Sequence, residues 1–297
     1  MKRNNSWMSA IMLCGMSTPL CAVDMQSQYP PAIYVDFEES MGKHPIQFGL
    51  IHPDDYDWYT YFKQQYQRYN FNQITSDVTA RIPKIIHQIW LGSPVPDEYK
   101  PWMQSWKQFH PDWMYLLWTD KEACKFDMVN RDLFEQARNY GQKSDVLRYE
   151  LLHQFGGVYA DTDFRCLKPF DVLHHCYDFY IGILNGGASE VAIGLIGSVP
   201  QHPILQCVIQ SMHDVKSDNP EAILETTGNY HFLRHFMAVA PQCIDSRIIA
   251  LPCSYFYPSP NWQRFGTTQE QDAWIKPESF AIHYWTCSWQ KPEAEVK

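Results

Sequence analysis

The stretch from Ser144 to Asp171 constrains the fold of this 297-residue chain more than any other segment. It reads SDVLRYELLHQFGGVYADTDFRCLKPFD. Apolar residues recur at helical spacing as far as Phe155, and the two glycines that follow suit a helix C-terminus, where positive φ is common. A short apolar run then leads into Asp161-Thr162-Asp163. This order predicts a helix, a buried strand and a strand end that carries two carboxylates.

The start of this helix carries a pair of opposite charges. Ser144 is predicted as the N-cap, because its hydroxyl can accept a hydrogen bond from a free backbone N–H of the first turn. Asp145 would then lie where the helix dipole favours an anion. Arg148 follows three residues later, so its side chain is expected on the same face as Asp145.

Asp161 and Asp163 are candidates for a metal site. Carboxylates at positions i and i+2 of an extended chain point to the same side. Such oxygen ligands suit Mg²⁺ or Mn²⁺, which proteins bind through one or two carboxylates together with substrate phosphates. A three-residue pattern also occurs by chance in a solvated turn, so the prediction depends on the order of the whole block.

A second buried strand is predicted over residues 85–90, and Gly92-Ser93-Pro94 ends it. Ligands of open α/β sheets bind outside the carboxyl ends of the strands. Trp90 and Gly92 therefore stand where a nucleotide would bind, and Trp90 is a candidate for stacking on the base. Packing of Trp90 in the core is the alternative, and the sequence leaves it open.

Strands and helices alternate through the rest of the chain, which predicts an α/β fold. The predicted helices cover residues 101–109, 120–123, 131–140 and 203–212, and the further strands cover 113–118, 179–184, 191–196 and 248–251. Residues 255–262 are rich in aromatics and proline and are predicted as a loop or lid. Neither a G-x-G-x-x-G nor a G-x-x-x-x-G-K-[ST] pattern is present, so the fingerprints of dinucleotide folds and P-loops are absent.

The last aromatic segment reads AIHYWTCSW over residues 281–289. Two aspartates and a diphosphate leave positions open on an octahedral ion. His283 offers a nitrogen and Ser288 a hydroxyl oxygen, so both are predicted to meet the aspartates in space. Trp285 and Trp289 would cover the sugar and exclude water. The alternative is a buried edge strand whose tryptophans only pack.

Three segments together resemble a known family: the block at 144–171, the opening IPKIIHQIW at 82–90 and the H-x-W-x-x-S-W ending at 283–289. They are similar to the DXD-containing glycosyltransferases of the yeast-type α-1,6-mannosyltransferase and capsular-polysaccharide group. The sugar-binding region of that group is also similar to that of the clostridial glucosylating toxins. One departure is Asn229, which stands where the family usually has the proline of T-G-P.

The resemblance implies a GT-A type fold, with a mixed central sheet flanked by helices, and retention of anomeric configuration. It implies a UDP- or GDP-sugar donor, Mn²⁺ or Mg²⁺, and a glycan, glycolipid or protein acceptor. The implied catalytic residues are Asp145, Arg148, Asp161 and Asp163. Donor contacts are expected from Ile89, Trp90, Tyr159 and Trp285 as well as from Asp145, Arg148 and Asp161, and metal contacts from Asp161, Asp163, His283 and Ser288.

Two other functions stay open at this point. One is a non-catalytic sugar-binding protein on a degenerate transferase fold, although such a copy has no need to keep all four charged residues together. The other is a metal-dependent phosphohydrolase, which needs a general base aimed at water. No paired motif for such a base is visible. The net charge of −9 argues against a nucleic-acid or anionic-membrane surface as the main partner.

The N-terminal region is predicted to carry a leader and an extension. Residues 1–22 resemble a weak secretory signal and are too short and interrupted for a confident membrane span; export, membrane association and the cytoplasm all remain open. Residues 23–80 form the extension, with an amphipathic helix within 54–71 that packs on the catalytic domain or docks a partner. That domain covers 81–290, and 291–297 is a tail. The cysteines are expected as buried free thiols, with a Cys243–Cys253 disulfide open if the chain is exported.

Overall fold

The computed structural model describes residues 33–42, 55–77, 79–185, 190–213 and 219–288. The predicted leader, the predicted tail and Trp289 lie outside these ranges. The same is true of Gly186 and Gly187, which were predicted to form a turn after the strand at 179–184. Within them, no helix combines the length and apolarity needed to cross a bilayer.

The described part contains eight strands in two sheets. The strands are β1 Ile85–Ile89, β2 Met114–Trp118, β3 Gly157–Ala160, β4 Phe164–Cys166, β5 Phe179–Ile183, β6 Val191–Ser198, β7 Ile248–Leu251 and β8 Ala281–His283. Six of them form the central sheet in the order β2-β1-β3-β6-β5-β7, and β4 pairs with β8 in a small second sheet. The pairs β2–β1, β1–β3 and β5–β7 are parallel, whereas β6 is antiparallel to both of its neighbours.

Eleven α-helices are found in the same ranges. They are α1 Phe37–Ser40, α2 Asp55–Tyr69, α3 Lys100–Phe109, α4 Asp120–Ala123, α5 Arg131–Gln136, α6 Tyr140–Phe155, α7 Asp171–Cys176, α8 Pro203–Ser211, α9 Pro220–Thr226, α10 Asn229–Val239 and α11 Thr268–Asp272. Helix α6 packs on β1, β3 and β6, and α2 packs on β7. The predicted mixed central sheet with flanking helices is confirmed.

The helix predicted from Ser144 begins one turn earlier, at Tyr140. Asn139 is the N-cap, because its Oδ1 accepts from the backbone N–H of Gly141 at 2.7 Å and of Gln142 at 3.3 Å. The Ser144 N-cap prediction is therefore wrong, and Asp145 lies in the second turn, beyond the free N–H groups. The single helix predicted over 131–140 is also wrong. Helix α5 ends at Gln136, because Ala137 leaves the helical region with ψ 128°, and Tyr140 already belongs to α6.

The C-terminus of α6 is as predicted. Gly156 follows the helix with φ 65° and Gly157 opens β3 with φ 97°. A Cβ on Gly157 would lie 2.5 Å from the carbonyl oxygen of Ile85, so only glycine lets β3 pair so closely with β1. The double glycine thus brings the DXD strand beside the strand that carries Trp90.

Helix α2 belongs to the core, which confirms the packing alternative for the N-terminal amphipathic helix. Phe62 and Tyr66 are each 1% exposed, and the Tyr66 hydroxyl is 2.7 Å from the Tyr255 hydroxyl. Residues 255–257 are fully buried, so the start of the predicted lid is irregular backbone packed into the core. Both Cys243 and Cys253 are free thiols, as expected, although only Cys253 is fully buried; the Cys253 thiol donates to the Ser40 carbonyl at 3.2 Å.

Candidate active site

The ends of two parallel strands bring the first site residues together. Strands β1 and β3 are parallel neighbours, so their carboxyl ends lie at the same edge of the sheet. Ile89 and Trp90 follow from β1, and Asp161 follows from β3. The backbone N–H of Asp161 donates to the Gly194 carbonyl at 2.8 Å, which extends the β3–β6 ladder to the DXD motif.

The two aspartates converge through a turn. Residues 162 and 163 form a turn between β3 and β4, so the expectation of two carboxylates on one extended chain is wrong in its geometry. The side chains nevertheless meet, because β4 pairs antiparallel with β8 and sets Phe164 opposite His283. Ligand atoms of Asp161, Asp163 and His283 all lie within 4.8 Å of one another. His283 therefore lies beside the DXD aspartates, as predicted for this residue of the C-terminal segment, whereas metal binding by His283 and Ser288 stays a prediction.

Asp163 is the most connected member of this cluster. Its Oδ1 lies 3.0 Å from His283 Nε2, and its Oδ2 accepts from the backbone N–H and the hydroxyl of Thr286, both at 2.9 Å. Burial alone would raise the pKa of this carboxyl, but the His283 charge and these hydrogen bonds outweigh burial and lower the pKa to about 2. The prediction that this carboxylate lies at a strand end and outside the core is wrong, because the structure buries the side chain in the turn between β3 and β4.

Arg148 and Asp145 form a buried charged pair behind the DXD turn. Arg148 Nη2 lies 3.0 Å from Asp145 Oδ1, and Nη1 lies 3.3 Å from Asp161 Oδ1 and donates to the Ile193 carbonyl at 2.8 Å. Its guanidinium stacks 4.5 Å above the Tyr159 ring, and the Tyr159 hydroxyl donates to Asp161 at 2.5 Å. These contacts join two of the four predicted catalytic residues to a third, Asp161.

Burial is the main cause of the pKa shifts of the Asp145 and Asp161 carboxyls. It raises the pKa of Asp145 to about 7, against the opposing Arg148 cation and a hydrogen bond from the Thr227 hydroxyl. It also raises the pKa of Asp161, where Arg148 opposes the rise and the Asp163 charge adds to it. The three aspartates therefore hold protons with different strength, and only Asp163 has its pKa lowered.

These residues surround a cavity of about 950 Å³, within the size range of small-molecule sites. Its lining includes all of the predicted site residues, namely Ile89, Trp90, Asp145, Arg148, Tyr159, Asp161, Asp163, His283, Trp285 and Ser288. Trp90 lines the cavity and packs on Tyr99 with ring centroids 4.6 Å apart, so its packing is shown and its stacking on a base stays a prediction. Trp285 packs on His283 at 4.3 Å. The functions assigned to these residues stay predictions.

The cluster fits a divalent cation by its donor set. Two carboxylates and one imidazole suit Mn²⁺, with room left for ligand oxygens. His283 Nε2 faces both aspartates, at 3.0 Å from Asp163 and 3.9 Å from Asp161. Its Nδ1 is buried and makes no hydrogen bond with any described residue, so the usual second partner of a ligating histidine is missing.

Sequence reasoning missed three residues of the site. Thr286 lies between His283 and Ser288, and Thr227 lies two residues before Asn229. Gly194 stands inside β6 among buried apolar residues, and a glycine inside a strand signals a close approach of another group. A Cβ built on it would lie 2.8 Å from Asp161 Oδ2 and 3.3 Å from the Tyr257 hydroxyl.

Gly194→Ala is expected to lower activity about 10- to 100-fold, because the added methyl displaces the Asp161 carboxylate that the site needs. Steady-state kinetics with matched Mn²⁺ titrations would measure this, and thermal unfolding would show whether the sheet is intact. Activity equal to that of the unmodified protein would mean that the Asp161 position is not critical.

Comparison with known proteins identifies the central segment. Residues 96–180 match the family described as "Glycosyltransferase sugar-binding region containing DXD motif". Over these residues the chain is thus similar to a glycosyltransferase sugar-binding region. The matched segment contains Asp145, Arg148 and both DXD aspartates, and it ends before Gly194 and the C-terminal segment. The sequence-based resemblance to DXD-containing glycosyltransferases is confirmed.

Curated relatives match over part of their length. "Inositol phosphoceramide mannosyltransferase 2" of Schizosaccharomyces pombe is 35% identical over 135 residues, which are 44% of this chain and 38% of that protein. "Mannosyl phosphorylinositol ceramide synthase SUR1" of Saccharomyces cerevisiae is 33% identical and covers 44% of this chain and 35% of that protein. This chain thus spans about two fifths of the length of these relatives.

Solved structures show a more distant likeness. "PaToxG Glycosyltransferase" has a TM-score of 0.43 and 18% identity, and covers 64% of this chain and 80% of that chain. A galactosyltransferase, LgtC, solved with donor and acceptor sugar analogues, has a TM-score of 0.35 and 11% identity, and covers 67% and 86%. TM-scores at this level assign neither a fold nor a substrate to this chain.

Proposed function

We propose that this protein is a metal-dependent glycosyltransferase of the GT-A type, which moves a hexosyl group from a nucleotide-sugar donor to an acceptor hydroxyl. The observation that carries the proposal is the meeting of Asp161, Asp163 and His283 at one end of the cavity that Trp90 also lines. A diphosphate needs a cation at one place and a base needs an apolar wall at another. This cavity offers both kinds of group.

Asp163 and His283 are the proposed metal ligands, with Asp161 as a further ligand or as a contact to the ribose. Thr286 holds Asp163 from behind through two hydrogen bonds, which fixes the direction of its free lone pairs. A divalent cation, when bound there, would neutralise the negative charge that grows on the departing nucleotide diphosphate.

Arg148 positions the polar wall on which the donor sugar would lie. Its guanidinium is tied to Asp145, Asp161 and the Ile193 carbonyl, so it acts through a fixed charge. Asp145 accepts from the Thr227 hydroxyl and is the proposed acceptor of hydrogen bonds from sugar hydroxyls. Ile89, Trp90 and Tyr159 are proposed donor contacts, and Trp285 shields the site from water. Ser288 lines the same cavity and is the last of the proposed metal contacts.

The finer points of the proposal come from relatives and from the family resemblance. Relatives named as mannosyltransferases of inositol phosphoceramide support a mannosyl donor and a glycolipid acceptor. A glycan or protein acceptor remains part of the proposal, because the chain covers about two fifths of those relatives. Retention of the anomeric configuration follows from the resemblance, and the anomer of the product, read by NMR, tests it.

A donor-hydrolysis screen tests the function. GDP-mannose, UDP-glucose, UDP-galactose and UDP-N-acetylglucosamine would each be incubated with the protein, with Mn²⁺, with Mg²⁺ and with a chelator. We expect release of sugar from at least one donor with a metal and none with the chelator. Calorimetric binding of a donor without any turnover would favour the non-catalytic sugar-binding alternative. If no donor binds and none is turned over, both the transferase function and the sugar-binding alternative are contradicted.

A further inference from the structure

Two aromatic side chains are exposed beside the cavity. Trp262 is 50% exposed and Phe265 is 84% exposed. They belong to a short 3₁₀ helix, Asn261–Phe265, whose first residue lines the cavity. Large aromatic groups on a surface need a reason when they lie together at the edge of a binding site.

The helix type places the two rings on one face. A 3₁₀ helix has three residues per turn, so side chains at i and i+3 lie directly above each other, about 6 Å apart along the axis. Trp262 and Phe265 have this spacing. Arg264 places its guanidinium carbon 4.7 Å from the centre of the Phe265 ring and donates to Asn261 Oδ1 at 3.3 Å, which ties the two ends of the helix together. The two rings thus form a short platform, called here the Trp262–Phe265 platform.

Both ends of the platform are attached to the active site. Just before it, the Ser259 carbonyl accepts from Trp285 Nε1 at 2.8 Å. Just after it, helix α11 begins at a Thr267 capping box and reaches Asp272. Asp272 forms two 3.0 Å hydrogen bonds with Arg165 of β4 and accepts from the Tyr284 hydroxyl at 2.7 Å. The backbone is therefore fixed, whereas the rings themselves face solvent.

The surroundings favour a carbohydrate over a bilayer as the occupant. A membrane-facing patch needs several cations beside its aromatics. The segment 260–272 carries one, Arg264, against Glu270 and Asp272, and the chain as a whole has a net charge of −9. Its polar residues are Asn, Gln and Thr, which hydrogen-bond to hydroxyl groups. Flat aromatic rings beside such groups suit the apolar face of a neutral sugar ring.

We propose that the Trp262–Phe265 platform is the acceptor subsite, and that it binds a neutral oligosaccharide portion of the acceptor by stacking sugar rings on Trp262 and Phe265. The proposal rests on the transferase function proposed above. An acceptor hydroxyl must reach the donor sugar inside the cavity, and the platform adjoins the cavity at Asn261, which lines it. The spacing of about 6 Å is comparable to the length of one hexose unit.

The experiment separates acceptor binding from donor chemistry. The full chain would be applied to an array of neutral oligosaccharides that includes α-linked mannosides, and the best binder titrated by calorimetry. Trp262→Ala and Phe265→Ala are each expected to weaken its binding about tenfold, in line with the loss of one buried aromatic contact. Trp262→Phe should recover most of the loss. Donor hydrolysis without acceptor should stay within about twofold of the unmodified protein.

Ile244→Ala is the matched control, because Ile244 is also a large exposed apolar residue, at 78%, and does not line the cavity. It should change neither quantity. The proposal is overturned if no oligosaccharide binds, or if binding is unchanged in both platform variants. It is also overturned if the protein instead binds phosphatidylcholine–phosphatidylinositol vesicles in a Trp262-dependent manner. Absence of donor hydrolysis in the unmodified protein would contradict the transferase function and leave the oligosaccharide titration as a separate result.

Discussion

Asp163→Asn is expected to lower metal-dependent donor turnover about 1,000-fold, the largest effect of any single change proposed for this chain. The amide keeps an oxygen that can accept from Thr286, so the local backbone should stay in place. It removes the negative charge that the cation and His283 both face. Donor-hydrolysis kinetics with Mn²⁺ would measure the effect, and electron paramagnetic resonance of Mn²⁺ would measure the loss of metal affinity directly.

Asp245→Asn is the control for this change, since Asp245 is an exposed aspartate in the turn before β7. It should be fully active. Circular dichroism should show the same secondary structure in both variants. Mn²⁺ affinity and activity that both survive Asp163→Asn would refute the metal assignment, whatever the function of the protein.

Arg148→Lys is expected to lower kcat/KM about 100-fold and the free energy of unfolding by about 3 kcal/mol. Lysine keeps the positive charge but has a single nitrogen. Arg148 uses its planar group to contact Asp145, Asp161 and the Ile193 carbonyl at once. The buried carboxylates would lose part of their compensation, and the wall of the sugar site would shift. Urea unfolding and steady-state kinetics give the two numbers.

Arg234→Lys provides the comparison, because Arg234 pairs with Glu225 on the surface, where both side chains are about half exposed. That pair should contribute little to stability. If Arg148→Ala unfolds the protein while Arg148→Lys is fully active, Arg148 is a member of a structural ion pair. A stable Arg148→Lys variant with low activity would instead place the effect on the donor site.

Most of the fold was accessible from sequence because local signals and burial agree. The run of isoleucines before Trp90 and the apolar run before Asp161 became the parallel neighbours β1 and β3. The helix start at Tyr140 was missed because Ser144 has a side chain that suits an N-cap, whereas the Asn139 side chain caps the helix five residues earlier. Burial of residues 255–257 was also missed, since proline-rich aromatic sequence is equally compatible with a lid.

The site shows a different limit. Its residues could be named from patterns, but the way in which they meet depends on contacts across more than 100 residues. Thr286 reaches Asp163 only because β8 pairs with β4, and no periodicity of either segment predicts that pairing. Gly194 mattered for the space it leaves beside Asp161, and a single sequence gives such space no signature beyond a glycine inside a strand.

The small β4–β8 sheet gives the cluster a stability of its own. All six strands of the central sheet lie between residues 85 and 251, whereas β8 begins at Ala281. His283 belongs to β8, and Thr286 follows it by three residues. Opening of the β4–β8 pairs alone would therefore take apart the Asp161–Asp163–His283 cluster while every strand pair of the central sheet stayed in place.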